Sequence, residues 1–262
     1  MKLEKISERI FFSTIKMSLE TKEETHITAT GFFVSKMVSK DEFVVFLVAS
    51  KELIDNSIAA SLVFHEGLDN AGLDINEQEK IHIRIGENDW KDMWFYSDKT
   101  SEFVIAPVMP VVRFIEAKLD KICFFQPIDL TSISNEEQLK DISLSEDILF
   151  LAYPKEIVQE EEHMPVLGRA KLATALFKSF NNKPEFLIYP STTTSDTSGS
   201  PVFILNEGSF MTKKGQVLGN RFLFLGILNN QDSNGLTKVT KANVLNNVVD
   251  EFIEKLIKPE SI

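Results

Sequence analysis

The sequence predicts an all-β fold followed by one C-terminal helix. Three observations predict it. Short apolar runs recur along the chain with polar turns between them, the pattern of many strands. Their spacing favours a barrel or sandwich over alternating βα units. Near the end, the apolar period changes from that of a strand to that of a helix.

The first runs are Ile10–Met17, Ala29–Val34 and Phe43–Ala49, the last two separated by the polar turn Ser39-Lys40-Asp41. Ala60–His65, Ile81–Ile85, Met93–Tyr96 and Phe103–Val108 complete a first half. Residues 127–146 are rich in Ser, Asp and Glu and fit a linker. A second set follows: Ile148–Tyr153, Gly168–Ala175, Glu185–Tyr189, Pro201–Leu205 and Phe222–Leu228. At the end, Val244, Leu245, Val248, Val249, Phe252, Ile253, Leu256 and Ile257 recur every three or four residues. They form one apolar stripe on a helix over 240–258, which Pro259 stops.

Composition narrows the function. Apolar residues make up 43% and charged residues 26%, as in a soluble globular protein. The 21 Phe lie mostly in the apolar runs and are expected to fill the core. A net charge of −11 repels phosphate backbones and anionic membranes, and the one dense basic spot is Lys213-Lys214. Neither nucleic acid nor membrane is therefore expected as a partner. The single cysteine, Cys123, excludes an intrachain disulfide and fits a reducing, cytoplasmic setting. It sits in the apolar stretch Ile122–Phe125 and is expected to be a structural thiol. No apolar run reaches the length of a membrane span, and no apolar leader follows Met1–Lys5. No phosphate loop, dinucleotide fingerprint or zinc motif is present, so no cofactor or metal is expected.

The segment with chemical content is Ser195-Asp196-Thr197-Ser198-Gly199-Ser200-Pro201-Val202-Phe203. A serine among turn formers leads directly into an apolar strand. Gly199 permits close backbone approach, and Pro201 fixes the chain as it enters the strand.

This segment resembles the nucleophile loop of the trypsin-like serine peptidases, in their disulfide-free bacterial form. Ser198 matches the nucleophile, Gly199-Ser200-Pro201-Val202 the residues after it, and Asp196 falls on the family's glycine. Other segments are similar in order and spacing. Thr30-Gly31-Phe32-Phe33-Val34 resembles a first-barrel strand, and Phe46-Leu47-Val48-Ala49-Ser50-Lys51 the strand that delivers the catalytic His. Phe103–Val108 resembles the segment after the catalytic Asp, and Leu149–Pro154 the strand that opens the second barrel. Leu167–Leu172, Phe224–Leu228 and the final helix also match. The resemblance implies two packed six-stranded antiparallel β-barrels of chymotrypsin-like form. They would occupy residues 6–126 and 147–236, with the 240–258 helix after them. It also implies a polypeptide substrate or ligand, with a partner protein as a further possibility.

The resemblance also places Glu52 at the His position and Glu102 at the Asp position. None of His26, His65, His82 and His163 follows the Leu47-Val48-Ala49 strand, and each is expected to be an ordinary surface or core residue. A serine hydroxyl is a poor nucleophile until a base removes its proton. Imidazole suits the task because it titrates near neutrality, whereas a glutamate titrates near ~4.3. Repulsion between Glu52 and Glu102 could raise one of them towards a usable range. The oxyanion site would use the backbone N–H groups of Asp196 and Ser198, with a negative side chain beside a developing negative charge. Glu52, Glu102 and Asp196 together form the alternative of an oxygen-lined cation site. Two functions follow. One is a catalytically degenerate pseudopeptidase that binds peptides or regulates. The other is an active serine hydrolase using Ser198 with a non-standard base.

Overall fold

The computed structural model describes residues 5–68, 80–155, 163–191, 196–213, 215–231 and 235–257. Ser195, Lys214, Pro259 and the acidic run 156–162 lie outside the described residues. The first half contains α1 (Ile6–Ile10), β1 (Thr14–Thr21), β2 (His26–Met37), β3 (Phe43–Ser50), α2 (Lys51–Asp55), β4 (Ser57–Glu66) and β5 (Lys80–Ile85). It continues with α3 (Glu87–Asp92), β6 (Phe103–Pro107), α4 (Met109–Leu119), β7 (Cys123–Phe124) and β8 (Ile128–Asp129). The strands run in the order β5-β4-β1-β2-β3-β6, with β7 on β4 and β8 on β2.

The second half follows α5 (Glu136–Asp141). Its strands are β9 (Asp147–Ala152), β10 (Val166–Leu172), β11 (Glu185–Pro190), β12 (Pro201–Asn206), β13 (Ser209–Thr212), β14 (Gly215–Leu218), β15 (Arg221–Gln231) and β16 (Thr237–Lys241). The strands β10-β11-β16-β15-β12-β9 close into a six-stranded barrel, and β13-β14 is a separate hairpin. Helix α6 (Ala242–Ile257) ends the described chain. Among the described residues no helix is long and apolar enough to cross a membrane.

Alternation explains the strands. In β1 the buried Ile15, Met17 and Leu19 face one way while Lys16, Ser18 and Glu20 face the other. Three large layers of core result, beside a small cluster of Phe12 and Phe124. One fills the first barrel around Phe33, Leu47 and Trp90. One fills the second around Phe150, Phe186 and Ile188. The third lies between them and joins Phe32, Phe46 and Phe103 to Phe203, Phe224 and the α6 residues Val244, Leu245, Val248 and Val249. The two halves and the helix therefore share one apolar seam.

Two expected strands are different. In Ile10–Met17, residues 6–13 are helical and the strand starts only at Thr14. The Ser13 hydroxyl donates to the Ile10 carbonyl at 2.7 Å and Thr14 to Phe11 at 3.3 Å, which closes the turn. In Met93–Tyr96, the N–H of Met93 still donates to Asp89 as the cap of α3. Only Phe95 bridges to Ile105. Trp90 and Trp94 lie four residues apart, and their rings meet edge to face at 5.1 Å, a helical spacing. The last helix begins at Ala242 because Thr240 and Lys241 still pair with β15.

Candidate active site

The loop before β12 is held from two sides. Gly199 N–H donates to the Leu228 carbonyl at 2.8 Å, and Leu228 N–H donates to the Ser200 carbonyl at 2.9 Å. These bonds fasten the loop to β15. The other side faces the first barrel. A Cβ on Gly199 would lie 2.9 Å from the Thr30 carbonyl oxygen of β2 and 3.0 Å from the Ser50 nitrogen of β3. Its φ is +87°, where side chains are strained. Only glycine fits both demands. Asp196 also holds a left-handed backbone, with φ +66°, at the position where the resemblance expects glycine.

This docking presents Ser198 to the end of β3. Ser198 is buried, and its Oγ donates to the Oγ of Ser50 at 3.2 Å. Ser50 ends β3 and caps α2, but its side chain makes no capping bond. A second link runs alongside, where Tyr153 N–H donates to Thr30 Oγ1 at 2.9 Å. Burial pushes the Tyr153 hydroxyl well above its ordinary range, against the opposing effect of its hydrogen bond with Thr14. The Ser200 hydroxyl is fully buried with no hydrogen-bond partner among the described residues.

The other residues singled out by sequence lie as follows. Glu52 is exposed in the first turn of α2. Glu102 is beside it: the Lys51 N–H donates to the Glu102 carbonyl at 3.0 Å. The Glu102 carboxylate accepts from the Ser101 hydroxyl at 2.8 Å. Neither carboxylate hydrogen-bonds Ser198; among the described residues Ser50 is its side-chain partner. Asp196 is exposed. Glu52, Glu102 and Asp196 do not assemble as a cation site, since among the described residues no three His, Cys, Asp or Glu side chains come together as metal ligands.

The histidines are engaged elsewhere. His26 starts β2 and is exposed. His65 is buried in β4 against the Phe12 ring, with its Nδ1 2.8 Å from Lys80 Nζ. His82 on β5 meets the His163 ring edge to face at 5.5 Å. Lys51 is tied to Asp55 at 2.5 Å. Ser198 is thus paired with a hydroxyl, which shares a proton at neutral pH but does not remove it.

Sequence reasoning missed Ser50. Its signal is a polar residue ending the apolar run Phe43–Ala49, at the point where strand turns into helix.

No family profile matches the chain, and no curated protein matches it. Solved structures do. The structure of GrC aligns with a TM-score of 0.51 at 9% identity, over 93% of this chain and 95% of the other. A scabies mite inactivated protease paralogue aligns at 0.48 and 10% identity, over 94% and 96%. The inactive form of the Rv3671c protease aligns at 0.47 and 12%, over 92% and 89%. At these identities the likeness is one of fold alone. The chain has a chymotrypsin-like double-barrel fold with a C-terminal helix.

Proposed function

We propose that this chain is a catalytically degenerate member of the trypsin-like fold, a pseudopeptidase that binds polypeptide or regulates a partner protein. The carrying observation is the pairing of Ser198 with the Ser50 hydroxyl in place of an imidazole. In this reading Ser198 stands at the nucleophile position, Glu52 at the position of the base and Glu102 at that of its orienting acid. Loss of the base from a serine-protease triad lowers turnover by about 10⁶-fold. That is about 8 kcal/mol of lost transition-state stabilisation. The halves 6–126 and 147–236 would each supply one wall of the binding cleft. A single cysteine fits work in the cytoplasm.

A second reading has its own support. The left-handed backbone at Asp196 suits an oxyanion loop, and the Ser198 N–H has no acceptor among the described residues. An active hydrolase would then use Ser198 with Glu52, or with a base brought by a partner. Incubation with mixed peptide libraries over neutral and alkaline pH, read by mass spectrometry, separates the two. The proposal expects no cleavage above that of a Ser198→Ala variant. Cleavage lost in that variant establishes the second reading.

A further inference from the structure

Among the described residues the first barrel is not closed by hydrogen bonds between β5 and β6, which end the strand path. A groove of about 740 Å³ occupies that side, bounded by β5, α3, α4 and α6. That volume lies in the range of ligand-binding clefts, about 300–1,000 Å³. Its walls are largely apolar, with Trp94, Pro110, Phe114 and Phe252 among them. Phe114 is 53% exposed, a large aromatic ring that the fold leaves uncovered.

Two further features restrict what fits. First, the rim is acidic. Arg84 is neutralised by Glu20 through two bonds of 2.8 Å. Asp89 and Asp92 have no ion pair among the described residues, in a chain of net charge −11. Second, Ile83, Arg84 and Ile85 are consecutive in β5 and all line the groove, as residues do at a strand edge. Among the described residues that edge of β5 has no partner strand. Unpaired edges of this kind accept an added strand from another chain.

We propose that this groove binds an extended polypeptide segment of another protein, one with large apolar side chains and lysine or arginine beside them. The segment pairs along the open edge of β5. Its apolar side chains enter between Trp94, Phe114 and Phe252, and its cations meet Asp89 and Asp92. The site shares no residue with the surroundings of Ser198 and does not depend on the reading of that serine.

The test uses the full chain and three short fluorescein-labelled peptides of one length: alternating Lys-Phe, alternating Glu-Phe and alternating Lys-Ser. Fluorescence polarisation is expected to show binding of the Lys-Phe peptide alone, weakening with added salt. Phe114→Ala is expected to weaken it about tenfold, as an aromatic anchor does. Because Phe114 is half exposed, that variant keeps its fold. The double variant Asp89→Asn with Asp92→Asn is expected to weaken binding and flatten its salt dependence. Ser198→Ala is expected to bind as the parent does. Equal binding of the Glu-Phe peptide, absence of binding, or indifference to both groove variants overturns the proposal. Binding that appears only after residues 258–262 are deleted overturns it in favour of the chain's own tail. Self-association abolished by Phe114→Ala overturns it in favour of a second copy of the chain.

Discussion

Gly199→Ala is the substitution whose cost is best fixed by the geometry. The added methyl carbon would stand 2.9 Å from the Thr30 carbonyl oxygen and 3.0 Å from the Ser50 nitrogen. Both neighbours are backbone atoms of central strands, which cannot rotate away as a side chain can. The residue must also keep φ +87°. Left-handed backbone costs about 1–2 kcal/mol for a residue with a Cβ. Forcing a methyl into a packed site costs about 1–3 kcal/mol more. The expected loss is therefore about 2–5 kcal/mol, a large share of the ~5–15 kcal/mol that holds a domain together. Urea unfolding followed by tryptophan fluorescence measures it. The midpoint should fall with the slope unchanged. In thermal melts each kcal/mol lowers Tm by about 2–4 °C in a chain of this size. A variant within about 0.5 kcal/mol of the parent, the scatter of surface substitutions, refutes the close approach of the loop to the first barrel.

Other outcomes follow from packing and charge. Phe203→Ala empties a fully buried site in the seam between the barrels and should cost about 3–5 kcal/mol by the same urea assay. Leu218→Ala, 84% exposed on the β14 hairpin, should change stability by less than about 0.5 kcal/mol. Equal effects would show that the seam is not packed. Burial, aided by Glu116 and Glu66, pushes the Cys123 thiol up from 9.0 to about 12. Folded protein should therefore react slowly with iodoacetamide at mildly alkaline pH, and urea-unfolded protein fast; equal rates contradict the burial. The folded value is the raised one, so this contribution to stability is intact below pH 9 and is lost as pH rises towards 12. The Arg84 guanidinium holds the half-buried Glu20 carboxyl below its ordinary value, so that contribution is present above about pH 4.5 and lost as pH falls. In an NMR titration Arg84→Ala should move the Glu20 midpoint upward, and an unmoved midpoint assigns the shift to another group.

Strand content and the final helix were legible because both rest on periodicity. β1 and β3 alternate or run apolar over their whole length, and α6 repeats its apolar residues every three or four positions. What periodicity missed was local hydrogen bonding. The hydroxyls of Ser13 and Thr14 turn an apolar run into helix, and Trp90 of α3 packs edge to face on Trp94 just past the helix end rather than along a strand. Helix α4 was hidden because Met109, Val111, Val112 and Ile115 follow β6 without a polar break. The Ser198 loop could be picked out from its turn formers, since a glycine, a proline and small hydroxyl residues sit at fixed offsets. Its partner could not. Ser50 is 148 residues away in sequence and meets Ser198 only because Gly199 lets the two barrels touch.

In the proposed pseudopeptidase Ser198 has no base. Intact-mass measurement after exposure to an alkyl fluorophosphonate, with Ser198→Ala as the control, reads this at the serine itself. No adduct on the native protein beyond the level of that variant is expected, because a hydroxyl beside a hydroxyl stays protonated. A stoichiometric adduct that disappears in Ser198→Ala would contradict it.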